Sequence, residues 1–230
     1  MTRPPLLALL ATAALLQAAG ASAQIAPSPS ELRVYAGLHA AAAKGDAAEI
    51  ERLIAAGERP NIQDSHSRTP LHVAAHGGHH AAARALLRLG ANPNALDTQR
   101  YDIITIAAVR NDVEMLKLAI AGGTNPRAIT SPYDGTALIA AAHLGHAEIV
   151  RELIAAKAPL DHVNNLGWTA LMESIVLGNG GKNHTATLEA LVKAGANVNI
   201  PDRGGVTPLG HARSRGYAEM VKILEAAGAK

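Results

Sequence analysis

The chain has 230 residues, 48% of them hydrophobic, with 21 Lys+Arg against 19 Asp+Glu, no cysteine and no phenylalanine. The near balance of charge gives no case for nucleic-acid binding, and zero cysteine excludes disulfides, Cys-ligated zinc and thiol catalysis. A single large core draws on Phe, Trp and many Ile; an apolar fraction dominated by alanine, with aromatics at 2%, suits thin layers of closely packed helices instead.

Residues 1–23 read as a secretory signal peptide set apart from the fold. Arg3 gives a short basic start, Leu6 to Ala19 is an apolar run too short for a comfortable membrane span, and Ala21-Ser22-Ala23 is a small-residue cleavage site. Cleavage after Ala23 would make Gln24 the mature N-terminus and place the protein in the periplasm or outside the cell. The run has no Arg-Arg pair before it and no cysteine after it, which favours the general secretion route and excludes lipid attachment at a signal-peptide cysteine. No second apolar run is long enough to span a membrane, so no membrane contact is expected after cleavage. Residues 24–30, with Pro27 and Pro29, read as a short linker, and Ser30 as the cap of the first helix.

From residue 31 onward one unit recurs, spanning 31–64, 65–97, 98–130, 131–164, 165–202 and 203–230. Its clearest copy is the second. Thr69 is placed to cap a helix, Pro70 sits at N1 where its missing N–H costs nothing, and Leu71, Ala74 and Ala75 form an apolar stripe. Gly78 ends that helix, Ala81 to Leu89 form another, and Gly90 supplies the positive φ that closes it. In the first unit Leu38-His39-Ala40-Ala41-Ala42 matches Leu71 to Ala75 at an offset of 33 residues. Asp102-Ile103-Ile104 opens the third unit, Thr136-Ala137-Leu138 the fourth, Thr169-Ala170-Leu171 the fifth and Thr207-Pro208-Leu209 the sixth. The loop before the fourth unit, through Ser131-Pro132-Tyr133-Asp134-Gly135, is one residue longer, and the fifth carries five extra residues within Gly178 to His184. In the sixth, Arg213 replaces a small residue that would face a further unit, which reads as a polar terminal repeat and a complete array. Neither helix of a unit can bury its apolar face alone, so the pattern predicts an all-α stack.

A period of 33 carrying Thr-Pro-Leu-His, paired alanines, Gly-His and Gly-Ala-Asn-x-Asn resembles the ankyrin repeat. The resemblance covers the mature chain and implies a solenoid, with inner helices lining a concave face, outer helices behind them and β-hairpin-like fingers at the side. It also implies that two sets of positions supply partner contacts. One is the finger tip just before the capping residue, holding Tyr35, Arg68, Tyr101 and Trp168, with Tyr133 in the lengthened finger. The other is the C-terminal end of each inner helix, holding Val109 and Arg110, His143 and Leu144, and Val176 and Leu177 in the third to fifth units. Aromatics and arginine carry interface energy, and an apolar patch on a soluble surface has a use. The competing reading is that the finger aromatics pack against the adjacent finger.

Catalysis finds no support: there is no Gly-x-Ser-x-Gly, no His-Glu-x-x-His, no P-loop and no dinucleotide fingerprint. Most of the 11 histidines occupy repeat positions; His39 and His72 are placed to bond neighbouring loop backbone. The expectation is therefore an exported, monomeric, non-enzymatic module without a cofactor, binding another protein through its concave face and fingers. The alternatives are an inhibitor or immunity protein that occludes a secreted enzyme and, in a different class, a metal- or haem-handling protein using His76, His80, His143 and His184.

Overall fold

The computed structural model describes residues 26–230. The signal-peptide reading, with its cleavage between Ala23 and Gln24, lies outside the described residues. Among those residues thirteen helices follow in order: α1 (Pro29–Val34), α2 (Gly37–Lys44), α3 (Ala47–Ala55), α4 (Pro70–Gly77), α5 (His80–Arg88), α6 (Ile103–Arg110), α7 (Val113–Ala121), α8 (Ala137–Leu144), α9 (Ala147–Ala155), α10 (Ala170–Val176), α11 (Lys182–Lys193), α12 (Pro208–Ser214) and α13 (Ala218–Ala226). The one β pairing among them is an isolated antiparallel bridge between Thr130 and Gly135.

The first helix is capped by Ser28 and not by Ser30. The Ser28 hydroxyl accepts from the Glu31 N–H while the Glu31 carboxylate accepts from the Ser28 N–H, and Pro29 takes N1. This reciprocal pairing satisfies two donors at once, which Ser30 in the second turn position has no means of doing.

The remaining twelve helices form two layers. Helices α2, α4, α6, α8, α10 and α12 pack in succession as an inner layer, and α3, α5, α7, α9, α11 and α13 as an outer one. Four of the six inner helices start in one way: the hydroxyls of Thr69, Thr136, Thr169 and Thr207 accept from the N–H three residues on. A column formed by Leu38, Leu71, Ile104, Leu138, Leu171 and Leu209 runs fully buried through the stack beside paired alanines such as Ala74 and Ala75. Small side chains at those positions let the layers approach closely, which is why the chain needs no phenylalanine.

The fingers are tight turns closed by side chains. Asp64, Asp97, Asn164 and Asp202 each accept from the backbone N–H groups two and four residues ahead. In the lengthened finger the Ser131 hydroxyl does this for Tyr133 and Gly135. Polar ladders then tie each unit to the next. His39 and His72 meet the carbonyls of Arg68 and Tyr101. Asn61 and Asn94 each bond both an N–H and a carbonyl in the following turn.

Two inner-helix caps depart from threonine: Ala36, which makes no side-chain cap bond, and Asp102. Asp102 is 1% exposed; its Oδ1 accepts from the Thr105 N–H and hydroxyl, and its Oδ2 has no partner. Burial raises its pKa above the usual 3.8, against the lowering effect of the Thr105 bonds. A carboxyl whose folded pKa is raised costs stability once ionised, and that cost disappears below 3.8. Asp102→Thr keeps a capping oxygen and removes the orphaned one. It is expected to add about 1 kcal/mol at neutral pH and to add little below pH 3.8; urea unfolding of both proteins at the two pH values measures the difference.

Candidate partner-binding surface

The finger-tip column divides when its side chains are placed. Arg68 is 1% exposed. Its Nε donates to Asp64 Oδ2 at 2.7 Å, a second nitrogen of the guanidinium pairs with Glu31, and the Tyr35 hydroxyl donates to the same Asp64 oxygen at 2.6 Å. Ser28 and then Arg68 hold Glu31 down to about 2. Burial would raise Asp64, but the bonds from Tyr35 and Arg68 outweigh it and hold it at about 2 as well. Tyr101 is 4% exposed and joins the core. Arg68 and Tyr101 therefore do not sit at an accessible rim: Arg68 is engaged by Asp64 and Glu31, and Tyr101 is packed into the core. Tyr35 is half-buried on the same network and packs against the His39 ring. Tyr133 and Trp168 remain partly exposed.

The second column, at the C-terminal ends of the inner helices, is accessible. Arg110 is exposed, Leu144 is 40% exposed, and Val109, His143, Val176 and Leu177 are half-buried. The stack brings them together because each closes one inner helix and those helices pack side by side. His143 is held from behind, its Nδ1 lying 3.1 Å from Glu173 Oε2, while Asn164 Nδ2 donates to Glu173 Oε1 at 2.8 Å.

The five extra residues of the fifth unit become a loop plus the first turn of α11, which runs to 12 residues where α9 has 9. The register survives. His184 Nε2 meets the His143 carbonyl, as His146 meets that of Ala108 and His79 that of Ala43. Tyr217 locks the loop from the next unit: its hydroxyl donates to the Gly178 carbonyl at 3.0 Å, and its ring lies so close to Gly180 that a Cβ there would meet Cδ1 at 2.3 Å. Leu144 on one side and Asn179, Gly181, Lys182, Asn183 and His184 on the other line a shallow depression of about 370 Å³.

Comparison with known proteins places this architecture. A family model described as "Ankyrin repeats (3 copies)" matches residues 38–129 and 104–202. The chain belongs to the ankyrin-repeat family. A putative ankyrin repeat protein of Escherichia coli (strain K12), YahD, is 41% identical over 98 residues, which take in 42% of this chain and 49% of that protein. The crystal structure of an ankyrin repeat domain from Acinetobacter baumannii AYE has 43% identity and a TM-score of 0.81, covering 84% of this chain and 98% of that one. The ankyrin repeat domain of Bcl-3, titled a unique member of the IkappaB protein family, has 25% identity and a TM-score of 0.78 over 86% of this chain and 88% of its own. Ankyrin repeats form a typical non-enzymatic scaffold for protein–protein interaction.

Within the ankyrin stack three of the four histidines of the metal-handling alternative have other partners. His80 pairs with Asp112, His143 with Glu173, and His184 bonds Asn179 and the His143 carbonyl. His76 is buried with its Nε2 unpartnered, and burial pushes its pKa down to about 4, so it is neutral in the folded protein. Among the described residues one triad of ligand-bearing groups converges, Glu31, Asp64 and His66, and the Arg68 guanidinium already bonds both carboxylates there.

Two surface features emerge from the structure. Leu96 and Val163, each one residue before the position that closes its finger turn, and Ile129, two before Ser131, are exposed in three successive units. Lys182 and Arg215 flank the accessible column. Tabulating apolar residues at that one finger position, and acids across the inner helices, would have marked both. For the buried network, Arg68→Ala is expected to cost about 3 kcal/mol by removing the cation that Asp64 and Glu31 share. Those carboxylates have depressed folded pKa values, so their contribution is present above the unfolded values and lost as pH falls toward 2. Chemical unfolding across that range is expected to show a flatter acid dependence in the variant.

Proposed function

We propose that this ankyrin-repeat chain is an exported module that binds a partner protein through the inner-helix ends of its third to fifth units. The observation that carries the reading is the accessible apolar column: Leu144 at 40% exposure beside half-buried Val109, Val176 and Leu177. Exposed apolar side chains grouped on one face serve as contact area, and the wall raised by the fifth-unit loop gives that area relief. Tyr133 and Trp168, the partly exposed aromatics of the fingers, extend it, and Arg110 and His143 supply polar groups at its edge. Export is supported by the Arg3 start, the Leu6–Ala19 apolar run and Ala21-Ser22-Ala23, and the absence of cysteine is compatible with an oxidising compartment.

A photo-crosslinking residue at Leu144 is expected to capture a discrete partner from the periplasmic fraction, and one at Arg151, on the outer layer, to capture none. Leu144→Asp is expected to weaken that partner's binding at least tenfold with no change in the thermal unfolding midpoint. Equal labelling from both positions would remove the assigned surface, and failure of a reporter fused after Gln24 to reach the periplasm would remove the compartment.

A further inference from the structure

The charged side chains of this molecule are segregated by layer. In the outer layer Arg52, Arg84, Arg88, Lys117, Lys193 and Lys222 each lie against an outer-helix carboxylate. The six inner helices contain one acid, Glu173, which is 3% exposed and engaged by Asn164 and His143. The ends of those helices carry bases: exposed Lys44 in the first unit, Arg110 in the third and Arg213 in the sixth, with Arg215 just beyond the end of α12, and of these Arg213 is taken up by Glu225 of α13. Lys182, the first residue of α11, adds another across the depression from Leu144. Among the described residues neither Arg110 nor Lys182 has a carboxylate partner, and Arg215 spends one nitrogen on the Val176 carbonyl at 3.0 Å, which holds its guanidinium against the apolar floor.

The resulting strip has Arg110 at one end and Arg215 at the other, with Leu144, Val176 and Leu177 between them and Lys182 at its edge. Resting on the reading of this face as a partner surface, we propose that its occupant is an extended acidic segment of another protein, with aliphatic side chains in the middle and carboxylates at both ends. Charge complementarity selects the acidic ends: an unpaired cation beside a low-dielectric surface attracts a carboxylate more strongly than one already neutralised by its own layer. The aliphatic middle follows from Leu144, Val176 and Leu177, which offer a polyanion with a charge at every residue nothing to pair with. Length follows from pitch. The third and sixth units are three helix spacings apart, roughly 24–30 Å, and an extended chain advances about 3.3 Å per residue, so about eight residues bridge the two arginines.

The test uses fluorescence anisotropy with a labelled pool of nine-residue peptides, three Asp or Glu at each end and three randomised Leu, Ile or Val in the middle. This pool is expected to bind, to lose at least tenfold in affinity when Asn and Gln replace the acids, and to lose as much when Ser replaces the aliphatics. Arg110→Glu is expected to weaken it at least fivefold. Arg151→Glu, the same charge change on the outer layer, should leave it within twofold. The proposal is overturned by a neutral pool that binds equally, by an Arg110→Glu protein that binds normally, or by an oligodeoxythymidylate or phosphatidylglycerol vesicles that bind in place of the peptides. Failures are separable: a partner crosslinked at Leu144 and indifferent to Arg110→Glu sinks the acidic occupant alone, whereas a partner indifferent to Leu144→Asp sinks the surface.

Discussion

Stacking is the constraint on which everything else in this chain depends. A pair of helices of eight and nine residues, such as α4 and α5, has apolar side chains on more than one face and no means of covering them alone. Each unit is completed by its neighbours, and the free energy of the fold is held largely in the interfaces between units. The buried Leu38–Leu209 column supplies the apolar part, and the histidine and asparagine ladders supply the register, since a slipped unit would leave several carbonyls without donors.

That division explains why scaffold and surface can be told apart residue by residue. Thr69, Pro70 and Leu71 are committed to capping and burial, and all three are buried. The positions that no interface uses are free to vary, and they vary toward Arg110, Leu144 and Leu177. The fold thus supplies a shaped, rigid platform whose chemistry is written in a minority of positions.

The architecture was legible because its determinants are local. A capping threonine, a proline at N1 and a left-handed glycine each act within one turn, so their spacing reports the helices directly. His39 and His72 were also readable, because their partners lie a fixed distance along the repeat. What was not readable was the direction of a side chain on a finger. Arg68 and Tyr101 occupy the tip in sequence, but both side chains are buried in the folded chain. A column of aromatics and arginine looks the same whether it faces a partner or the next finger. The place of His184 in the repeat was not readable for a related reason: across an insertion, counting residues loses the register that hydrogen bonding to the His143 carbonyl preserves. Ser28 was missed because the capping box depends on Glu31 as much as on the serine.

The fifth-unit loop carries a consequence of its own. Five residues enter between α10 and α11, yet His184 and Tyr217 still reach the carbonyls that fix the stack on either side. Contour length and pitch are therefore decoupled at this point. A segment grafted between Asn179 and Asn183 would be displayed beside Leu144 on a platform whose geometry it does not have to maintain. The natural array thus contains an engineering port at the edge of its own recognition surface.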